Sequence, residues 1–123
     1  MAQTVLVVDD DPKLVRIVEI NLTQEGYRVR TAGDGEAALA AVAEERPDLV
    51  VLDVMMPGID GFEVLKRLKA DAASADIPVV MLTARAQDED VFEGYGMGAQ
   101  WYLTKPFEPE ELRRVVRHLL PVD

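Results

Sequence analysis

Two stretches of this chain, "DLVVLD" (48–53) and "IPVVML" (77–82), are apolar on consecutive residues rather than on alternate ones. A strand with one face in water alternates apolar and polar side chains, whereas an unbroken apolar strand has to be covered on both faces. The architecture that covers both faces is a parallel sheet between two layers of helices, an α/β fold. Three more strand-like runs fit it: "TVLVV" (4–8), "YRVRT" (27–31) and "WYLT" (101–104). The second of these alternates and the third is short, so both suit sheet edges.

Five stretches with helical spacing separate or follow the strands. In the first, Leu14, Ile17, Val18 and Leu22 fall on one face, Asp11 can cap the start with Pro12 in the first turn, and Gly26 ends it. The second, "DGEAALAAVAEER" (34–46), runs up to Pro47, and the third, "DGFEVLKRLKA" (60–70), aligns Val64, Leu65 and Leu68. The fourth, "DEDVFEGYGMG" (88–98), is the weakest, because Gly94 and Gly96 each cost about 1 kcal/mol against alanine. The fifth, "PEELRRVVRHLL" (109–120), groups Leu112, Val115, Val116 and Leu119. Strand and helix thus alternate over residues 1–123 without internal repeat or linker, and one domain is expected.

Charge removes some functions. With 23 acidic against 13 basic residues the formal net charge is −10, the wrong sign for a protein that grips nucleic-acid phosphates directly. There is no cysteine, hence no disulfide framework or thiolate metal site. No apolar run is long enough to span a bilayer, and "MAQTVLVV" lacks the pattern of a secretory signal. A cytoplasmic location is the expectation.

In a parallel sheet the C-terminal strand ends share one rim, where ligands of open α/β sheets bind. The first strand ends in Asp9 and Asp10, the third in Asp53, the fourth in Thr83, the fifth in Thr104 and Lys105. Taken singly, each has an ordinary explanation: "DDD" as a solvated cap, Asp53 as a turn former, Lys105–Pro106 as a surface turn. Together they bring three carboxylates, a hydroxyl and an ammonium to one rim. Crowded carboxylates need a cation, or one of them stays protonated. Hard oxygen donors without nearby histidine suit Mg²⁺, and acids, Mg²⁺, lysine and a hydroxyl form a phosphoryl-transfer set in which a carboxylate can be the nucleophile.

The segments "VLVVDDDP", "LVVLDVMMPGIDG", "VVMLTARA" and "YLTKPF" stand in the order and spacing of the receiver domain of bacterial two-component response regulators, which the whole chain resembles. The resemblance implies a flavodoxin-like, doubly wound five-stranded parallel sheet of order 2-1-3-4-5 with five helices. It implies that Asp53 accepts a phosphoryl group from a histidine kinase or a small donor such as acetyl phosphate. Asp9, Asp10, Asp53 and the backbone carbonyl of Met55 would hold Mg²⁺. Thr83 would hydrogen-bond the phosphoryl group and Lys105 would pair with it. Pro106 would follow a cis peptide after Lys105, and Pro57, Gly58 and Gly61 would shape the loop after Asp53. Tyr102 matches the switch aromatic whose ring turns inward with Thr83. Output would pass to an effector through the face of the fourth helix, fifth strand and fifth helix, with no direct nucleic-acid or membrane contact, from a monomer or weak dimer.

Some positions depart from the family pattern. Gln100 and Trp101 stand where members that dimerise through that face carry paired acids, and Val115 where they carry a basic partner. Trp101 is either a partner contact or packing beneath a helix. Glu108 replaces the usual short cap before "PEEL". Met55 and Arg85 occupy two variable positions that tune water access, and His118 reads as a helix-end residue. The expected role is a switch and not an enzyme. A phosphatase with an aspartyl intermediate would carry a second Asp where Met55 stands, and an inactive receiver would lack one of the key residues. A receiver cut from a longer regulator with a DNA-binding or enzymatic output domain is the alternative.

Overall fold

A computed structural model describes residues 2–84 and 98–122. The elements are β1 (Thr4–Val8), α1 (Pro12–Gln24), β2 (Arg28–Ala32), α2 (Gly35–Glu44), β3 (Leu49–Asp53), α3 (Gly61–Ala70), β4 (Val79–Thr83), β5 (Trp101–Thr104) and α4 (Pro109–Leu119). All neighbouring strands pair in parallel, in the order β2-β1-β3-β4-β5. The order is the expected 2-1-3-4-5, with the alternating run and the short run at the edges. Four helices stand among the described residues where five were expected. Most of the stretch read as the fourth, "DEDVFEGYGMG", lies outside the described residues, as does Arg85. The helix counted fifth in the sequence is therefore α4 here.

The unbroken apolar runs have the predicted cause. Leu6, Val8, Val50, Leu52, Val79 and Met81 point to one face, where Ala38 of α2 and Val64, Leu65 and Leu68 of α3 meet them. The alternate residues Val5, Val7, Leu49, Val51, Val80 and Leu82 point to the other, against Val18 and Leu22 of α1 and Leu112 and Val116 of α4. Side chains of a strand alternate between faces, so a strand between two helix layers is apolar along its length, with polar Asp53 and Thr83 only at the C-terminal ends of β3 and β4.

The helix starts follow the sequence signals. Asp11 accepts a hydrogen bond from the Lys13 N–H at 3.0 Å, Asp34 from Ala37 at 2.7 Å and Asp60 from Glu63 at 2.9 Å. Each such cap stabilises its helix by about 1 kcal/mol. At Glu108 no side chain caps α4, as expected for that substitution. One sequence assignment needs correction: Ile17 is exposed on α1, while Val18 and Leu22 are buried. Successive helical residues are turned by about 100°, and the Val18–Leu22 stripe, extended by Leu14, already faces the sheet. Val115 is buried beside Leu112 and Val116, so it is a core residue.

Candidate functional site

β1 and β3 pair along their length, with Val8 opposite Leu52, so the residues that follow them emerge side by side. There Asp9, Asp10 and Asp53 each offer a carboxylate oxygen within 4.8 Å of the others. Asp9 and Asp53 are buried, and Asp10 is exposed. From the far edge of the sheet Lys105 reaches back over the rim. Its Nζ lies 2.9 Å from Asp9 Oδ2 and 3.1 Å from Asp53 Oδ1. Thr83 ends β4 one residue beyond Leu82, the partner of Asp53, and is fully buried. The Lys105 N–H donates to the Thr83 carbonyl at 2.7 Å, which ties the lysine's backbone to the same rim.

The surrounding loops set these side chains. Lys105–Pro106 is a cis peptide, as expected. Asp9 has a second partner that the sequence did not suggest, the main-chain N–H of Asp11, which donates to Asp9 Oδ1 at 3.0 Å. Its signal was the DDD run itself, because the helix cap Asp11 lies two residues from the buried acid. After β3 the chain turns through Met55, Pro57 and Gly58, the last at φ +79°, and returns so that the Gly61 N–H donates to the Val54 carbonyl at 2.8 Å. A Cβ on Gly61 would lie 2.2 Å from the Asp53 carbonyl oxygen, so only glycine fits there.

The electrostatics follow from burial. Desolvation pushes the Asp53 carboxyl up to about 6; Lys105 opposes that rise, the Asp9 charge adds to it, and the Lys105 and Met55 N–H hydrogen bonds oppose it. Burial also disfavours the Lys105 ammonium, but its hydrogen bonds to the two acids and their charges outweigh this and raise its pKa. The result is a buried carboxylate that is ionised around neutrality and held against one ammonium. Such a group can attack an electrophile, and the three-acid cluster offers only oxygen donors to a cation. Clefts flank the group on both sides. One of about 420 Å³ is lined by Asp9, Asp10, Arg16 and Thr31, and one of about 400 Å³ by Asp11, Leu14, Lys105 and Phe107.

Comparison with known proteins decides the family. The family model described as the response regulator receiver domain matches residues 5–117. The chain belongs to the response regulator receiver domain family. It is similar to the DNA-binding dual master transcriptional regulator RpaA of Synechocystis, 48% identical over 94% of this chain and 48% of that protein. It is also similar to the DNA-binding response regulator MtrA of Mycolicibacterium smegmatis, 49% identical over 95% of this chain and 50% of that protein. The chain thus spans about half the length of the curated relatives it matches. Among solved structures, the chemotaxis response regulator CheY4 of Vibrio cholerae superposes with a TM-score of 0.91 at 37% identity, covering 98% of this chain and all of that one.

The remaining positions of the receiver fall into place by geometry. Tyr102, on β5, is buried in the layer that holds Met81. Gln100 works in the sheet: its side-chain Oε1 accepts from the Val79 N–H at 2.7 Å, and its own N–H donates to the Val79 carbonyl at 2.9 Å. Trp101 is 40% exposed, and its ring meets that of His118 edge-on at 6.1 Å. The indole therefore lies over the last turn of α4, and not beneath it. No helix among the described residues is long and apolar enough to cross a membrane.

The raised pKa of Asp53 carries a consequence for stability. The unfolded carboxyl ionises near 3.8 and the folded one near 6, so the folded state holds the proton more tightly over that interval. The stabilisation is complete below about pH 3.8 and is lost as the pH rises through 6. By linkage the loss reaches up to about 3 kcal/mol. In magnesium-free buffer Asp53→Asn is therefore expected to melt at a higher temperature than wild type at pH 7.5, and the gap is expected to close towards pH 4. Paired thermal melts across that range check it, and a gap independent of pH overturns it.

Proposed function

We propose that this receiver is a phosphoryl-operated switch in which Asp53 is the acceptor. The observation that carries the reading is the single Lys105 ammonium shared by two buried carboxylates, Asp9 and Asp53. In the proposed step one Asp53 oxygen attacks the phosphorus of a phosphohistidine or of acetyl phosphate. A P–O bond to the aspartate forms, and the bond to the leaving imidazole or acetate breaks. Lys105 then pairs with a phosphoryl oxygen, and the Thr83 hydroxyl and the Met55 N–H supply donors beside it. The group gained carries a charge of about −2 and creates charge-assisted hydrogen bonds that did not exist before.

The three-oxygen cluster fits Mg²⁺, which prefers hard oxygen donors and retains several waters. Asp9, Asp10, Asp53 and the Met55 carbonyl would hold it, and it would offset the charge of the phosphoryl oxygens. The switch would run from Thr83 to Tyr102, whose buried ring is the arrangement this reading couples to a phosphorylated Asp53. The effector surface would be the face of the stretch read as the fourth helix (88–98, mostly outside the described residues), β5 and α4, where Trp101 is exposed.

The role is that of a switch and not of a turnover enzyme. Met55 stands where an aspartyl-intermediate phosphatase needs a general acid, and an inactive receiver would lack one of Asp53, Asp9, Asp10, Thr83 or Lys105. A second reading, that the chain is the receiver half of a longer regulator with a DNA-binding output domain, is favoured by the coverage of RpaA and MtrA. Incubation with acetyl phosphate and Mg²⁺ is expected to add one phosphoryl group by intact mass; no added mass on wild type sinks the proposal. Asp10→Ala is expected to weaken Mg²⁺ binding at least about tenfold, read by titration, and an unchanged affinity removes Asp10 from the metal site.

A further inference from the structure

Two adjacent methionines follow the acceptor, and the fold treats them in opposite ways. Met56 is buried in the layer beneath α3, whereas Met55 is 59% exposed, the most exposed of the large hydrophobic residues among those described. Met81, the other described methionine, is fully buried. Met55 also lies two residues beyond Asp53, in the turn that leaves β3, and its main-chain N–H counters the upward shift of the Asp53 carboxyl. A solvent-exposed thioether thus sits on the backbone that holds the acceptor, and packing does not explain it. Thioether oxidation follows exposure and turns a flexible apolar side chain into a polar one.

We propose that Met55 is a peroxide-sensitive modification site that shortens the life of phosphorylated Asp53. The inference rests on the phosphoacceptor reading above. Hydrogen peroxide is the oxidant. The sulfur lone pair attacks one peroxide oxygen, the O–O bond breaks, and the products are methionine sulfoxide and water. Sulfur loses two electrons and peroxide gains them. Thiol-driven sulfoxide reduction returns the thioether. The thioether presents an apolar group to solvent at the edge of the site. The sulfoxide presents a strong hydrogen-bond acceptor there, able to hold and orient a water beside the acyl phosphate. Hydrolysis of that phosphate consumes one water, gives inorganic phosphate and restores the Asp53 carboxylate.

The test begins with limited peroxide treatment of the chain and peptide mass mapping. One oxygen is expected on Met55 before Met56 or Met81. Treated and untreated protein are then labelled with acetyl phosphate and Mg²⁺, the donor is removed, and loss of the phosphoryl mass is followed. A severalfold faster decay is expected after treatment of wild type. Met55→Leu is compared with itself, treated against untreated, and its ratio is expected to stay near one whatever its basal lifetime. Oxidation of Met56 or Met81 as readily as Met55 overturns the proposal. So does an unchanged lifetime in oxidised wild type, or an equal response in Met55→Leu. If untreated wild type takes up no phosphoryl mass, the phosphoacceptor reading itself has failed and this inference falls with it.

Discussion

Asp53→Asn is expected to take up no phosphoryl mass from acetyl phosphate and Mg²⁺ under conditions that label wild type fully. An amide nitrogen or oxygen is a far weaker nucleophile than a carboxylate, and no neighbour can replace Asp53 in place. Asp9 is buried with one oxygen on Lys105 and the other on the Asp11 N–H, and Asp10 is exposed. Folding failure is not a competing explanation. The variant is close in shape to aspartate and removes the ionisation that burial opposes, so it is expected to be at least as stable at neutral pH. Intact mass and a thermal melt on the same sample therefore separate the two outcomes. Full labelling of the variant would move the acceptor elsewhere.

Gly61→Ala is the substitution with the largest expected structural effect. Its Cβ would lie 2.2 Å from the Asp53 carbonyl oxygen and 2.9 Å from the Val54 Cα, both backbone, so no side chain can move aside. Either α3 retreats or the end of β3, which carries Asp53, shifts. A loss of about 1–3 kcal/mol is expected, at the upper end of that range because backbone is the obstacle. In a domain of this size that lowers Tm by roughly 5–15 °C. Gly58→Ala is the contrast. It has φ +79° but open space around a new Cβ, so only backbone strain of about 1 kcal/mol is expected. Thermal melts of both variants check the ranking, and a larger loss at Gly58 would overturn it.

Much of the rim is legible in the sequence. Unbroken apolar runs imply a sheet covered twice, and the residue types at the strand ends imply a charged rim. The alternation of "YRVRT" placed it at an edge because edge strands keep one side near water. Ile17 was misplaced because its apolar character fits a helical face within the tolerance of a pattern. Only the sheet beneath α1 selects which part of that face is covered. Trp101 was undecided for a related reason: an indole beside a buried tyrosine reads equally as core or contact until α4 is seen to pack next to it.

Two kinds of information therefore met at this site. Composition and order along the chain determined the strand count, the layer on each side and the chemical types gathered at one edge, because apolar periodicity and residue type are local properties. Tertiary structure decided the rest. It set one ammonium between two particular carboxylates, raised the Asp53 pKa through burial, closed the β3–α3 corner on a glycine and left one of two neighbouring methionines in water. Those outcomes depend on distances between residues up to 96 positions apart, such as Lys105 and Asp9, and no local pattern in a chain encodes such a distance.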